Sequence, residues 1–259
     1  MLTRVTVLET LETYYDTVPR AAASAEEAGP FTLFVKTEPT GWPYYARPRL
    51  GGEVPFTAAA VDALRERQRD LGVPEALEWV HETTPTLLSA ARESGLHVHE
   101  CPLLVLPEDA DPKLPALPEG LRVDLLAPDS PTLGAVLAAV GAGFAGSDEV
   151  TPRDPGSQPR TMERGLLAVA GAYDGQGPVG GGSHSPRGTT TELAGIAVVP
   201  RARRLGVGAA ITHALVEDAR RRGVETVFLS AQDDAVARVY ERVGFVRIGT
   251  ACVAEPPDA

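Results

Sequence analysis

Residues 201–210, RARRLGVGAA, set three arginines and two glycines between two apolar runs. The run before them, TELAGIAVVP, ends in a proline, and the run after them, ITHALVEDARRRG, repeats its apolar positions at helical spacing. A strand, a glycine turn and a helix start in that order suit a bound phosphate. A diphosphate needs several donors converging at short range. The first turn of a helix offers unpaired N–H groups and the positive end of the helix dipole. Gly206 and Gly208 lack Cβ atoms, so the backbone there bends freely and lets a ligand come close. Arg203 and Arg204 add charge-assisted contacts, and Leu205, Val207 and Ala209 supply amides of the same turn. The competing reading is an ordinary glycine turn with solvated arginines. A second candidate is His184 in GGGSHSPRG, either a base or substrate contact or an exposed histidine in a glycine-rich turn. Cys101 and Cys252 are too few for a disulfide framework and lack metal-site spacing, so both are expected to pack as small hydrophobes and no metal is expected.

These residues must be held by alternating helices and strands, an α/β or α+β architecture. Around the glycine turn the pattern predicts a strand at LRVDLLAP and a helix at SPTLGAVLAAVGAGF capped by Ser130. A polar loop with one short helix follows. LLAVAGAYDG and PVGGGSHSPRG are expected as two strands joined at Asp174-Gly175, with a third strand over Thr191–Val199. A helix from about Gly206 to Arg222 places Val207, Ile211, Ala214, Leu215 and Ala219 on one side, and Gly223 stops it. TVFLSA reads as a strand, DAVARVYERVG as a short helix, and FVRIGTACVAE as a closing strand. In the first half, VLETLETYYDTVPRAAASAEEAG reads as mainly helical with a break at Pro19. Strands follow at FTLFVK and YYARPRL, then a helix at FTAAAVDALRERQRDLG, a strand at ALEWV, a helix at TPTLLSAARESG and a strand at LHVHECPLLVL.

The two halves have related orders. DALRERQRDLGVPEALEWV lies over HALVEDARRRGVETVFLSA, and SAARESGLHV over RVYERVGFVR, so a duplication is inferred. The proline-rich, acidic stretch PEDADPKLPALPEG resists helix and strand and divides them, giving domains 1–106 and 121–259 joined by a linker at 107–120.

LAGIAVVPRARRLGVGAAITHALVEDA, followed by VYERVGF, strongly resembles the GNAT superfamily of acetyl-CoA-dependent N-acyltransferases over residues 120–255. The signature Arg/Gln-x-x-Gly-x-Gly/Ala is met by Arg203 to Gly208, and Tyr240 with Gly244-Phe245 fits the tyrosine helix and its following strand. The resemblance implies two GNAT-like domains, each a mixed, largely antiparallel sheet flanked by helices. It implies acetyl-CoA as co-substrate, with its diphosphate on Arg203–Ala209 and its pantetheine arm paired to the backbone of Ile196, Ala197 and Val198 beside a bulge. Tyr240 is then either the acid that protonates the departing thiolate or a packing tyrosine. Glu192 is either the base that takes the amine proton or an exposed strand-end residue. Asp233 stands where the family often has a cofactor-holding asparagine, and an ionised carboxylate cannot donate. The N-terminal copy lacks the signature: Pro55 interrupts the residues around Gly51 and Gly52, and Ala91 takes the place of the tyrosine. A structural role is expected for it, with Trp42, Tyr44, Tyr45, Trp79 and His81 either lining a pocket or packing.

The implied reaction is transfer of acetyl to a small-molecule or protein amine by direct attack in a ternary complex. The alternative is an acyl-CoA-binding regulatory module without chemistry. A net charge of −11 over 259 residues argues against nucleic-acid and anionic-membrane partners. No stretch has signal-peptide or membrane-span character, so a cytoplasmic protein is expected, its oligomeric state open.

Overall fold

The protein, described by a computed structural model over residues 4–37, 44–52, 55–112 and 114–257, has a mixed α/β architecture. The chain forms two compact units, one of Met1–Leu104, Ser230–Asp234 and Arg247–Ala259, the other of Val105–Leu229 and Ala235–Val246. Two C-terminal segments therefore belong to the unit built on the N-terminal half, which a division by position along the chain does not provide for.

The first unit opens with α1 (Arg4–Arg20), β1 (Ala23–Ala28), β2 (Phe31–Lys36) and β3 (Arg47–Pro48). The helix expected to run on through residue 29 stops at Arg20, just past Pro19, and ASAEEA becomes β1 instead. Alanine and glutamate favour helix, but antiparallel pairing with the apolar β2, from Ala23↔Lys36 to Ala28↔Phe31, outweighs that preference. Next come α2 (Ala58–Asp70), β4 (Leu77–Val80), α3 (Thr86–Glu93) and β5 (His97–Leu106). Thr57 caps α2 by accepting the Ala60 N–H at 3.3 Å. Phe31, Leu33, Val61, Leu64, Leu77, Trp79 and Leu87 form the core.

The second unit contains β6 (Arg122–Leu125), α4 (Leu133–Phe144), α5 (Gln158–Glu163), β7 (Ala168–Asp174), β8 (Gly177–His184), β9 (Thr190–Val198), α6 (Val207–Arg221), β10 (Thr226–Ser230) and α7 (Asp234–Val243). Its strands lie in the order β10-β9-β8-β7-β6. The β9–β10 pair is parallel and the other neighbours are antiparallel. Ser130 does not cap α4; Thr132 occupies that position, and the Ser130 hydroxyl accepts the Thr132 N–H at 3.4 Å. The β7–β8 turn is closed by Asp174, whose carboxylate accepts the N–H groups of Gln176 at 2.8 Å and Gly177 at 3.1 Å. The last strand, β11 (Val246–Glu255), pairs antiparallel with β4 in the first unit, and its Cys252, opposite Trp79, is buried in that core. Cys101 is half-buried, and both cysteines are free.

Three consecutive glycines in β8 let helices close on both faces of the sheet. A methyl group at Gly181 would strike Val136 of α4, and one at Gly182 would strike Ile196 and come close to Ile211 of α6. Helix α4 therefore covers one face and α6 the other. Among the described residues no helix is long and apolar enough to cross a membrane.

Candidate active site

The site elements of the second unit follow one another along β9, the loop after it and α6. Parallel pairing of β9 with β10 runs from Thr190↔Thr226 to Glu192↔Phe228 and stops there, while β9 continues to Val198. On the other side, β9 pairs His184↔Leu193 and Ser183↔Ala194, then shifts register to Gly181↔Ala197. The extra residue is accommodated at Gly195, with φ +62°, and Ile196. This is a β-bulge, which turns the strand and frees main-chain groups from the ladder. The bulge falls beside the three residues expected to meet a pantetheine arm: Ile196 and Val198 are half-buried and Ala197 is buried.

Strand alternation then separates the two sides of β9. Thr191 is fully buried, and its hydroxyl meets His184 Nδ1 at 3.1 Å. His184 Nε2 lies 2.9 Å from Asp218 Oδ2 on α6. Thr191 thus faces α6, and its neighbour Glu192, half-buried, lies on the opposite face. His184 is not the exposed turn residue that was one expectation; it ends β8 at 0% exposure. With Asp218 ionised, Nε2–H donates to the carboxylate and Nδ1 accepts from the Thr191 hydroxyl, so both ring nitrogens are satisfied. Burial pushes the imidazole pKa down in spite of Asp218. The Asp218 carboxylate is also held below its usual range; burial works against this, and the hydrogen bonds from His184 and Arg222 outweigh it. The arrangement is a closed polar link between β8, β9 and α6, shielded from any acceptor.

After β9, a short 3₁₀ turn (Pro200–Ala202) leads into the arginine-glycine loop. Arg204 has φ +61°, the one non-glycine residue with positive φ among the described residues, and Gly206 follows with φ +82° as the N-cap of α6. A left-handed conformation costs an ordinary residue roughly 1–2 kcal/mol, and glycine adopts it freely. The first intrahelical bond runs from the Ala210 N–H to the Gly206 carbonyl. The N–H groups of Val207, Gly208 and Ala209 therefore have no acceptor within the helix. A methyl group at Gly208 would meet nothing within 4 Å, so this turn is open to a ligand. The residues fit an anionic diphosphate: converging amides, a positive helix end and free approach.

The two arginines differ in their placement. Arg203 directs Nε to the Val198 carbonyl at 3.0 Å and Nη2 to the Gly143 carbonyl at 2.6 Å. Its guanidinium ties the end of α4 to the end of β9, where the sequence alone offered it for phosphate. Arg204 and Leu205 are exposed. Gly143 itself sits hard against β9: a methyl group there would lie 2.9 Å from Val198 N and 3.0 Å from Ala197 Cβ. Nothing in the signature points to Gly143, although glycine near the end of an otherwise apolar helix is a visible sign of close packing.

Tyr240 lies on α7, buried, with its ring edge-on to Phe245 at 6.1 Å between centroids. Burial pushes its phenol pKa up to about 12, so it carries its proton throughout the physiological range. Asp233 is exposed and falls in Ser230–Asp234, the segment counted with the first unit. In the first unit, Trp79 is a core residue, and Tyr45 borders a cavity of about 370 Å³ with Val73, Pro74 and Glu255. Trp42 lies outside the described residues. Among the described residues no cluster of His, Cys, Asp or Glu is arranged to hold a metal.

Residues 143–245 match the model of the Acetyltransferase (GNAT) family. The match begins at the glycine that packs on β9 and ends at the aromatic partner of Tyr240. No curated protein matches the chain significantly. Among solved structures, a GCN5-related N-acetyltransferase from Kribbella flavida is similar with a TM-score of 0.74 and 22% identity, over 97% of this chain and 96% of that one. A GCN5-related N-acetyltransferase-like protein from Streptococcus suis is similar at 0.58 and 13%, over 96% and 97%. A tandem GNAT protein from the clavulanic acid biosynthesis pathway is similar at 0.55 and 18%, over 87% and 78%. At these identities the likeness is one of fold.

Proposed function

We propose that this protein is an N-acetyltransferase that moves the acetyl group of acetyl-CoA to an amine by direct attack in a ternary complex. The observation that carries the proposal is the continuous run from the bulge at Gly195–Ile196, through the loop at Arg204, to the open first turn of α6. Amides of Val207, Gly208 and Ala209 hold the diphosphate. The main chain of Ile196, Ala197 and Val198, where β9 has left β10, pairs with the pantetheine arm and aims the thioester. Glu192, at the point where the two strands part, takes the proton from the acceptor ammonium, directly or through water. An alkylammonium with a pKa near 10.4 must lose that proton before it attacks. The Tyr240 phenol donates to the leaving thiolate; burial keeps it protonated. The acceptor is a small-molecule or protein amine. The N-terminal half is a GNAT-like copy without catalytic residues and has a structural role. Free Cys101 and Cys252 accord with a cytoplasmic setting.

The test is coenzyme A release by wild type and Tyr240→Phe across a panel of amines, with acetyl-CoA binding measured in parallel. Turnover falling about 10²–10⁴-fold in the variant, with binding retained, is expected for loss of a general acid. A wild type that binds acetyl-CoA and acetylates nothing in the panel would favour a binding module instead.

A further inference from the structure

The first unit holds a cavity of about 370 Å³ that the proposed reaction does not use. Small-molecule sites occupy roughly 300–1,000 Å³, so it is large enough for a compact ligand. Its place follows from strand pairing. Leu77, at the start of β4, is bridged in parallel to Ala46 and pairs antiparallel with Ala254 of β11. One residue further out along these three chains stand Tyr45, Ala76 and Glu255, and all three line the cavity. The Ala46 N–H donates to the Ala76 carbonyl at 3.1 Å, which fixes the segment carrying Tyr45. Arg69, on the last turn of α2, and Val73 and Pro74, in the loop after it, supply more of the wall.

Two lining groups of opposite charge have bonding capacity left. Arg69 gives Nη1 to Glu75 Oε2 at 2.8 Å, and its Nε and Nη2 have no partner among the described residues. Those two nitrogens form one edge of the guanidinium, a fork that takes a carboxylate in two parallel bonds. Glu75 is also held by Arg65 Nε at 2.8 Å, so the three groups together carry one positive charge. Glu255 stands 3.6 Å from His99 Nε2, too far for a hydrogen bond. Its charge is felt at Tyr45, whose phenol pKa is pushed up by burial first and then by the Glu78 and Glu255 carboxylates. Val73, Pro74, Ala76 and the Tyr45 ring offer carbon. Glu255 repels an anion, Arg69 with Arg65 repels a cation, and a neutral molecule leaves both charges unpaired; a zwitterion meets both. We propose that this cavity binds a free α-amino acid with an apolar side chain, its carboxylate on Arg69, its ammonium on Glu255 and its side chain against Val73, Pro74 and Tyr45. The site gives the N-terminal half a ligand of its own beside its structural role, and it does not rest on the acetyl-CoA reading.

The test is titration calorimetry of the full chain with L-leucine, with isocaproate, which lacks the amine, and with isoamylamine, which lacks the carboxylate. Leucine is expected to bind, and each analogue to bind more weakly by about tenfold or more. Arg69→Met and Glu255→Gln are each expected to weaken leucine by about tenfold or more. Both side chains are partly exposed, and Glu75 keeps Arg65 in the first variant. No binding of leucine by wild type, an analogue that binds as tightly as leucine, or unchanged affinity in either variant overturns the proposal. Should a variant not fold, wild type irradiated with a diazirine analogue of leucine gives the answer: label at Tyr45, residues 73–76 or Glu255 supports the site, and label elsewhere overturns it.

Discussion

Two glycines in one helix turn make opposite predictions. Gly141 and Gly143 both lie in α4, but a methyl group at Gly141 would meet nothing within 4 Å. At Gly143 it would lie 2.9 Å from Val198 N, 3.0 Å from Ala197 Cβ and 3.1 Å from Val198 C. Two of those three atoms are backbone of β9, and none is the end of a flexible side chain, so relief requires α4 to move off the strand. Overpacking of this kind costs about 1–3 kcal/mol. The displacement also pulls the Gly143 carbonyl away from Arg203 Nη2, which it accepts from at 2.6 Å. Gly143→Ala is therefore expected to lower the melting temperature by about 2–4 °C for each kcal/mol lost. Because the strand it presses on carries the residues proposed to pair with pantetheine, it should also raise KM for acetyl-CoA. Gly141→Ala, free of any clash, is expected to stabilise by about 0.5–1 kcal/mol through helix propensity. Thermal unfolding followed by circular dichroism, with acetyl-CoA saturation curves for both variants, compares them directly. If Gly143→Ala melts no lower than wild type and saturates at the same acetyl-CoA concentration, α4 is not braced on the bulged strand and the argument fails.

Arg203→Lys keeps the charge but loses the fork that spans the Val198 and Gly143 carbonyls. We expect it to cost about 1 kcal/mol and to weaken coenzyme A binding; unaltered stability and affinity in calorimetry would show the tie to be idle. His184, whose folded pKa is depressed by burial, binds a proton more readily in the unfolded chain. Its contribution to stability is present above the unfolded value near 6.5 and is lost as pH falls from there towards the folded value. Urea midpoints measured from pH 8 to 5 should decline for wild type over that interval and decline less steeply for His184→Gln; parallel curves would remove His184 from the account.

How far the site can be read from residues alone depends on whether its parts are local. The strand, glycine turn and helix around Gly206 form one contiguous stretch, so periodicity and two glycines suffice to locate the N-cap, and the left-handed backbone there is what makes glycine necessary. Gly223, with φ +79°, ends α6 by equally local chemistry. The same reasoning misplaces β1, because ASAEEA is a strand only through the partner it finds in β2. It also left His184 open to exposure, since a glycine-rich sequence looks like a turn until α4 and α6 are seen to need those missing side chains. Arg203 shows the limit most clearly. Its position in the signature suggests a phosphate ligand, yet it binds a carbonyl 60 positions earlier in the chain, a partner no local pattern announces. In this fold Gly208 of the signature is open, whereas the arginine that accompanies it, though exposed, spends its guanidinium on the Val198 and Gly143 carbonyls. The arginine-glycine stretch thus fastens β9 to α4 through its arginine while the helix start that follows keeps its first amides open.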